Sequence, residues 1–104
     1  MQDAVEVAEN HDARRYEITV DGRLAGFVQY RRRPGQLVFT HTEIGDEYEG
    51  KGLGSRLIGA ALDAARAAGV SVVPVCPFVS RFVEHHPEYR DVLAEEAEEA
   101  QPGA

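Results

Sequence analysis

The sequence predicts an α/β fold of the α+β kind: an antiparallel meander, then a crossover helix, a parallel strand and C-terminal helices. Three observations predict it. Residues 15–44 hold three strand-like stretches separated by Asp21-Gly22 and Pro34-Gly35, residues 53–68 carry apolar side chains at helical spacing, and residues 70–76 return to a β-branched run ahead of Pro77. Tight turns join antiparallel neighbours, whereas a strand entered from a helix is expected to run parallel to the strand before that helix, as a right-handed crossover.

Taken in order, residues 1–14 are polar and weakly patterned and read as a flexible lead-in, with Val5 and Val7 as the possible start of an edge strand. The folded domain is expected over 15–93. In 15–20, Tyr16, Ile18 and Val20 share one face and Glu17 and Thr19 the other, and Asp21-Gly22 suits the positive φ angles of a two-residue type I′ turn. The returning strand, 23–31, puts Leu24, Gly26, Val28 and Tyr30 on one face and Ala25, Phe27 and Gln29 on the other, so apolar residues on both faces mark it as central. Arg31-Arg32-Arg33-Pro34-Gly35 forms the next turn, its Pro-Gly pair fitting type II and its arginines reading as a solvated hairpin end. The strand 36–44 places Leu37, Phe39, His41 and Glu43 on one side and Val38, Thr40, Thr42 and Ile44 on the other.

The helix that follows runs to about Ala68, with Leu53, Leu57, Ile58, Ala61, Leu62, Ala65 and Ala68 as its apolar stripe and Gly69 as its stop. In the strand 70–76, Pro74 removes a ladder donor and marks an edge or a place where the sheet splays and stops pairing. Pro77 opens a second helix, with Phe78, Val79, Phe82 and Val83 on its apolar side, and 87–93 forms a last helical segment after Pro87. The tail, 94–104, has four glutamates with alanines as its apolar residues, and is expected to be disordered.

At 104 residues the chain is one domain, and 43% hydrophobic with 28% charged residues is ordinary for a globular protein. A net charge of −7 argues against nucleic acid and anionic membrane as partners. The single cysteine, Cys76, excludes an internal disulfide framework, and with four histidines it argues against a structural metal site. No metal is expected, and the setting is read as reducing and cytoplasmic. There is no membrane-length apolar run, and the N-terminus lacks the basic region and apolar core of a signal peptide.

Function concentrates in Glu49-Gly50-Lys51-Gly52-Leu53-Gly54-Ser55-Arg56-Leu57. Glycines at every second position disfavour a helix, each by about 1 kcal/mol relative to alanine, so they belong to a turn that feeds the helix behind it. Such a turn, backed by a helix N-terminus, is an anion site and most often a phosphate site. The nucleotide P-loop pattern fails, because Gly52 stands where Ser or Thr should hold magnesium and Asp46, Glu47 and Glu49 would repel a triphosphate. The dinucleotide pattern fails on glycine spacing.

Four motifs follow one another in order: His41-Thr42-Glu43-Ile44, Glu49 to Gly54, Pro74-Val75-Cys76-Pro77-Phe78-Val79 and His86-Pro87-Glu88-Tyr89. On these the chain resembles the small, single-domain branch of the GCN5-related N-acetyltransferase (GNAT) superfamily, over roughly 16–92. Its loop departs from the superfamily pattern at the first position, where Glu49 replaces Gln or Arg. The resemblance implies a minimal acetyltransferase-like fold with acetyl-coenzyme A as co-substrate, lying where the strands 36–44 and 70–76 splay apart. It further implies that Gly50, Lys51, Gly52, Leu53, Gly54, Ser55 and Arg56 hold the diphosphate, that Thr42, Glu43 and Ile44 pair with the pantetheine arm, and that Phe78 also contacts the coenzyme.

Three roles compete for Cys76, at the start of a helix where a thiol can favour the thiolate: nucleophile, acid to the departing coenzyme thiolate, or packing residue. His41 and Glu43 are candidates for removing a proton from an amine acceptor, with a hydrogen-bonded histidine on a half-buried face as the plain alternative. The expected function is acetyl transfer to a primary amine, either a small molecule or a Lys-containing peptide. The alternative is a coenzyme A binding or sensing module with little or no turnover.

Overall fold

A computed structural model describes residues 4–94 of the chain. Five strands form one sheet in the order β1-β2-β3-β4-β5: β1 (Val5–Asn10), β2 (Arg15–Val20), β3 (Arg23–Arg33), β4 (Gln36–Ile44) and β5 (Ser71–Pro74). Every pairing is antiparallel except β4 with β5, which run parallel. Helix α1 (Leu53–Ala68) connects those two strands, and α2 (Pro77–His85) follows β5. Short 3-10 segments cover Asp46–Tyr48 and Pro87–Val92. The fold is the mixed meander, crossover helix and parallel strand that the sequence predicts.

The turns follow from their residues. Asp21 and Gly22 take φ of 52° and 82°, the two positive angles of a type I′ turn, and Gly69 ends α1 at φ 74°. Helix α1 lies across the sheet, in contact with all five strands, and buries Leu53, Leu57, Ile58, Ala61, Leu62 and Ala65. The sheet answers with Tyr16, Ile18, Val28, Tyr30, Leu37 and Phe39, and α2 adds Val79, Phe82 and Val83 to the same core. No helix among the described residues is long and apolar enough to cross a membrane.

Five expectations need correction. Much of the lead-in, expected to be flexible, is the paired strand β1, held in register with β2 from Val5↔Val20 to Asn10↔Arg15. Its alternation of half-buried and exposed residues is what an edge strand on a one-sided core requires. In β4 the strict alternation breaks, because Gln29 pairs with His41 and Tyr30 with Phe39, leaving Thr40 as a bulge. Leu37 and Phe39 are therefore core, while His41 and Glu43 lie on the exposed side. A bulge at Ala25 itself has the same effect in β3, burying Ala25 and exposing Leu24. Ala68, expected in the apolar stripe, is exposed. The expected disordered tail starts one residue too early, since Ala94 is buried and its N–H donates to the Val72 carbonyl; the rest of that tail lies outside the described residues.

Candidate active site

Two local facts build the site. The first is where pairing stops: β5 ends at Pro74, opposite Phe39, while β4 runs on to Ile44. The Cys76 N–H still reaches the Phe39 carbonyl at 2.9 Å, and past that bond the edge of β4 is free of β5. Proline at the last paired position, with no N–H to extend the ladder, is the local cause.

The second fact is how α1 begins. Gly50 and Gly52 have φ of 79° and 75°, a left-handed conformation that side chains rarely tolerate. A Cβ at either would meet nothing, so these glycines answer to backbone conformation and not to crowding. Gly54 is different: a Cβ there would lie 2.4 Å from Phe78 Cζ, so glycine admits the Phe78 ring over the first turn of α1. No side chain caps the helix, and the N–H of Arg56 donates to the Gly52 carbonyl at 3.2 Å. By helix geometry the N–H groups of Leu53, Gly54 and Ser55 precede any intrahelical acceptor, at the positive end of the dipole.

Between the two features lies a cavity of about 590 Å3. Its lining is Thr42, Glu43 and Ile44 from β4, Asp46, Tyr48 and Glu49 from the connection, Gly50, Gly52, Leu53 and Gly54 from the turn and helix start, and Phe78 from α2. The main-chain amides at the start of α1 form a cradle that fits a diphosphate, and the free edge of β4 fits an extended, amide-containing arm.

Eight of the residues singled out from the sequence thus come together: Thr42, Glu43, Ile44, Gly50, Gly52, Leu53, Gly54 and Phe78. Five do not line this cavity. Cys76 is buried behind it, 3% exposed, with its Sγ 3.3 Å from Thr42 Oγ1 in a shared hydrogen bond. His41 lies on the exposed sheet face, its Nε2 2.8 Å from Glu43 Oε2 and its ring 6.2 Å from that of Phe27. Lys51 is exposed, while Ser55 and Arg56 line separate clefts along α1. Asp46, Tyr48 and Glu49 were not expected to line the cavity. The mismatch at Glu49 and the repulsion assigned to Asp46 were signals that acid surrounds the site, whereas nothing in the sequence pointed to Tyr48.

The family model described as GCN5-related N-acetyl-transferase matches residues 15–92. The chain belongs to the GCN5-related N-acetyltransferase family. That makes it an N-acetyltransferase by family, and β1 precedes the matched region. Among solved structures, this acetyltransferase is similar to a GCN5-like protein of Staphylococcus aureus, at 24% identity and a TM-score of 0.67, over 86% of this chain and 87% of that one. It is also similar to the ribosomal-protein-S18-alanine N-acetyltransferase of Escherichia coli, at 15% identity and a TM-score of 0.56. That match covers 68% of this chain and 64% of the other. These likenesses concern the fold. No curated protein matches the acetyltransferase.

Proposed function

We propose that the cavity binds acetyl-coenzyme A as acyl donor and that the enzyme transfers the acetyl group to a primary amine, of a small molecule or a Lys-containing peptide. The observation that carries this reading is the cavity itself, with an uncapped glycine-started helix on one wall and a free strand edge on the other. The diphosphate would lie on the amides of Leu53, Gly54 and Ser55, and the pantetheine arm along Thr42 to Ile44 like an added strand. Lys51 and Arg56 would add positive charge from outside the cavity.

Glu43 is assigned the proton from the acceptor ammonium, and His41, hydrogen-bonded to it and open to solvent, carries that proton away. The freed amine attacks the thioester carbonyl carbon. A C–N bond forms and the C–S bond breaks, while main-chain N–H groups of the free β4 edge polarise the carbonyl oxygen. The departing thiolate takes a proton from the Cys76–Thr42 pair, which is restored by the second proton lost from the attacking nitrogen. Burial of Cys76 favours this acid role over that of a nucleophile. The same burial favours a second reading, a coenzyme-binding module with no turnover.

Calorimetry with acetyl-coenzyme A and thiol release with and without amines test both. Micromolar binding with release only when an amine is present is expected, and Glu43→Gln should slow that release by about a hundredfold. Binding without release supports the module, and absence of micromolar binding rejects both readings. Intact mass after exposure to acetyl-coenzyme A should show no acetyl adduct that Cys76→Ala abolishes.

A further inference from the structure

On the sheet face away from α1, side chains form two rows that cross the strands. Val28 and Tyr30 of β3 point into the core, so Phe27 and Gln29 point the other way. Glu17, Phe27 and Glu43 stand opposite one another on β2, β3 and β4, and Arg15, Gln29 and His41 form the neighbouring row.

Contacts join the rows at both ends. Arg15 Cζ stands 4.4 Å over the Phe27 ring, its Nε donates to Glu17 Oε2 at 2.8 Å, and Asn10 Nδ2 donates to the same oxygen at 3.0 Å. On the far side, the His41 ring lies 6.2 Å from that of Phe27 and its Nε2 is 2.8 Å from Glu43 Oε2. The two carboxylates are left in different states. Glu17 accepts from two donors and its side chain is 22% exposed, whereas that of Glu43 is 61% exposed, touches His41 and lines the cavity proposed for the donor. Glu17 is thus spent on Arg15 and Asn10, and Glu43 is open to an ammonium.

Arg15 is half spent. Its Nε is committed to Glu17, while among the described residues its two Nη groups meet no acceptor. That end of a guanidinium can hold a carboxylate with two parallel hydrogen bonds. Strands β2 and β4 are two spacings apart, roughly 10 Å, and the Phe27 ring supplies apolar surface in the interval. A carboxylate at one end, a guanidinium at the other and a short apolar floor between them complement an amine joined to a carboxylate by an alkyl chain.

We infer that the acceptor is an ω-amino acid lying across this face, with its ammonium at Glu43, its methylenes on Phe27 and its carboxylate on the Nη groups of Arg15. The inference rests on the transfer reading above and narrows it. Arg15 becomes the specificity residue. A diamine would bring its second ammonium against Arg15, and a lysine inside a peptide has no carboxylate at that distance.

Thiol release from acetyl-coenzyme A at saturation is the test, with ε-aminohexanoate, hexylamine, hexamethylenediamine and a blocked peptide holding one internal lysine as acceptors. In the wild type, kcat/KM for ε-aminohexanoate should exceed that for hexylamine about tenfold, the effect of one charge-assisted hydrogen bond, and should exceed the diamine and the peptide by at least as much. The difference should lie in KM, because Arg15 is remote from the reacting nitrogen and holds ground state and transition state alike. Arg15→Met, which keeps a stem over Phe27, should bring the ratio of ε-aminohexanoate to hexylamine near one, and Arg15→Lys should keep part of it. Equal kcat/KM for those two amines in the wild type, a preference that survives Arg15→Met, or faster turnover of the diamine or the peptide would overturn the inference and leave the transfer reading standing. Circular dichroism checks the fold of the variants, and the wild-type comparison decides the matter even where a variant does not fold. If no amine releases thiol, the transfer reading falls and the acceptor class with it.

Discussion

Within α1, alanine at position 54 would be favoured over glycine by about 1 kcal/mol on backbone grounds, yet its Cβ would lie 2.4 Å from Phe78 Cζ. The atom in the way is the tip of a half-exposed ring, so Phe78 can swing aside at small cost. Gly54→Ala should therefore change stability by no more than about 1 kcal/mol while weakening acetyl-coenzyme A severalfold, because the displaced ring lines the cavity. Parallel thermal melts and calorimetry separate the two effects; a large loss of stability with binding intact would contradict it. The alternating glycines were legible in the sequence because three departures from helix propensity at one place need a common cause. The purpose of the third was not, since it answers to a ring 24 positions along the chain.

Strands β1 and β3 are tied across β2 by one carboxylate. The Tyr30 hydroxyl donates to Glu9 Oε2, Arg32 Nη2 donates to the same oxygen at 2.9 Å, and His11 Nε2 lies 3.4 Å from Oε1. Burial first, and then the Glu9 hydrogen bond and charge, push the Tyr30 phenol from an ordinary 10.0 to about 12. The folded state thus holds that proton more tightly than the unfolded chain does. The contribution to stability is complete below about pH 10 and is lost as pH rises towards about 12. Unfolding followed across that window, together with phenolate absorbance, should show a downward slope that Tyr30→Phe flattens; an unchanged slope would assign it to another group. This tie escaped sequence reading, because Glu9 and Tyr30 meet only after two reversals of the chain, whereas the edge strand that starts at Val5 was glimpsed in Val5 and Val7. Elements with strong local patterns, α1 with its apolar stripe and β2 with its Asp-Gly turn, were legible as they stand. The bulge at Thr40 was not, since one extra residue leaves the composition of a strand unchanged while reversing every later side chain.

At the scale of the molecule, the family match starts at residue 15, whereas the sheet starts at Val5. A chain beginning at residue 11 would keep the matched region but leave β2 as a bare edge and remove the apolar side chains of Val5 and Val7 from the core. That truncation should lower stability by several kcal/mol, at about 1 kcal/mol for each half-buried valine plus the Glu9 tie, and should promote self-association through β2. Thermal denaturation and size-exclusion chromatography check both, and an unshifted melt would show β1 to be dispensable. The uncapped start of α1 bears on the lifetime of the fold as well as on catalysis. A helix whose first donors have no partner in its own sequence is completed by what it binds. By mass action, an anion that seats there in the folded chain alone adds about 2.7 kcal/mol to folding when present at a hundred times its Kd. With the donor proposed above seated there, the resilience of this small sheet to heat and proteases would track the concentration of that donor.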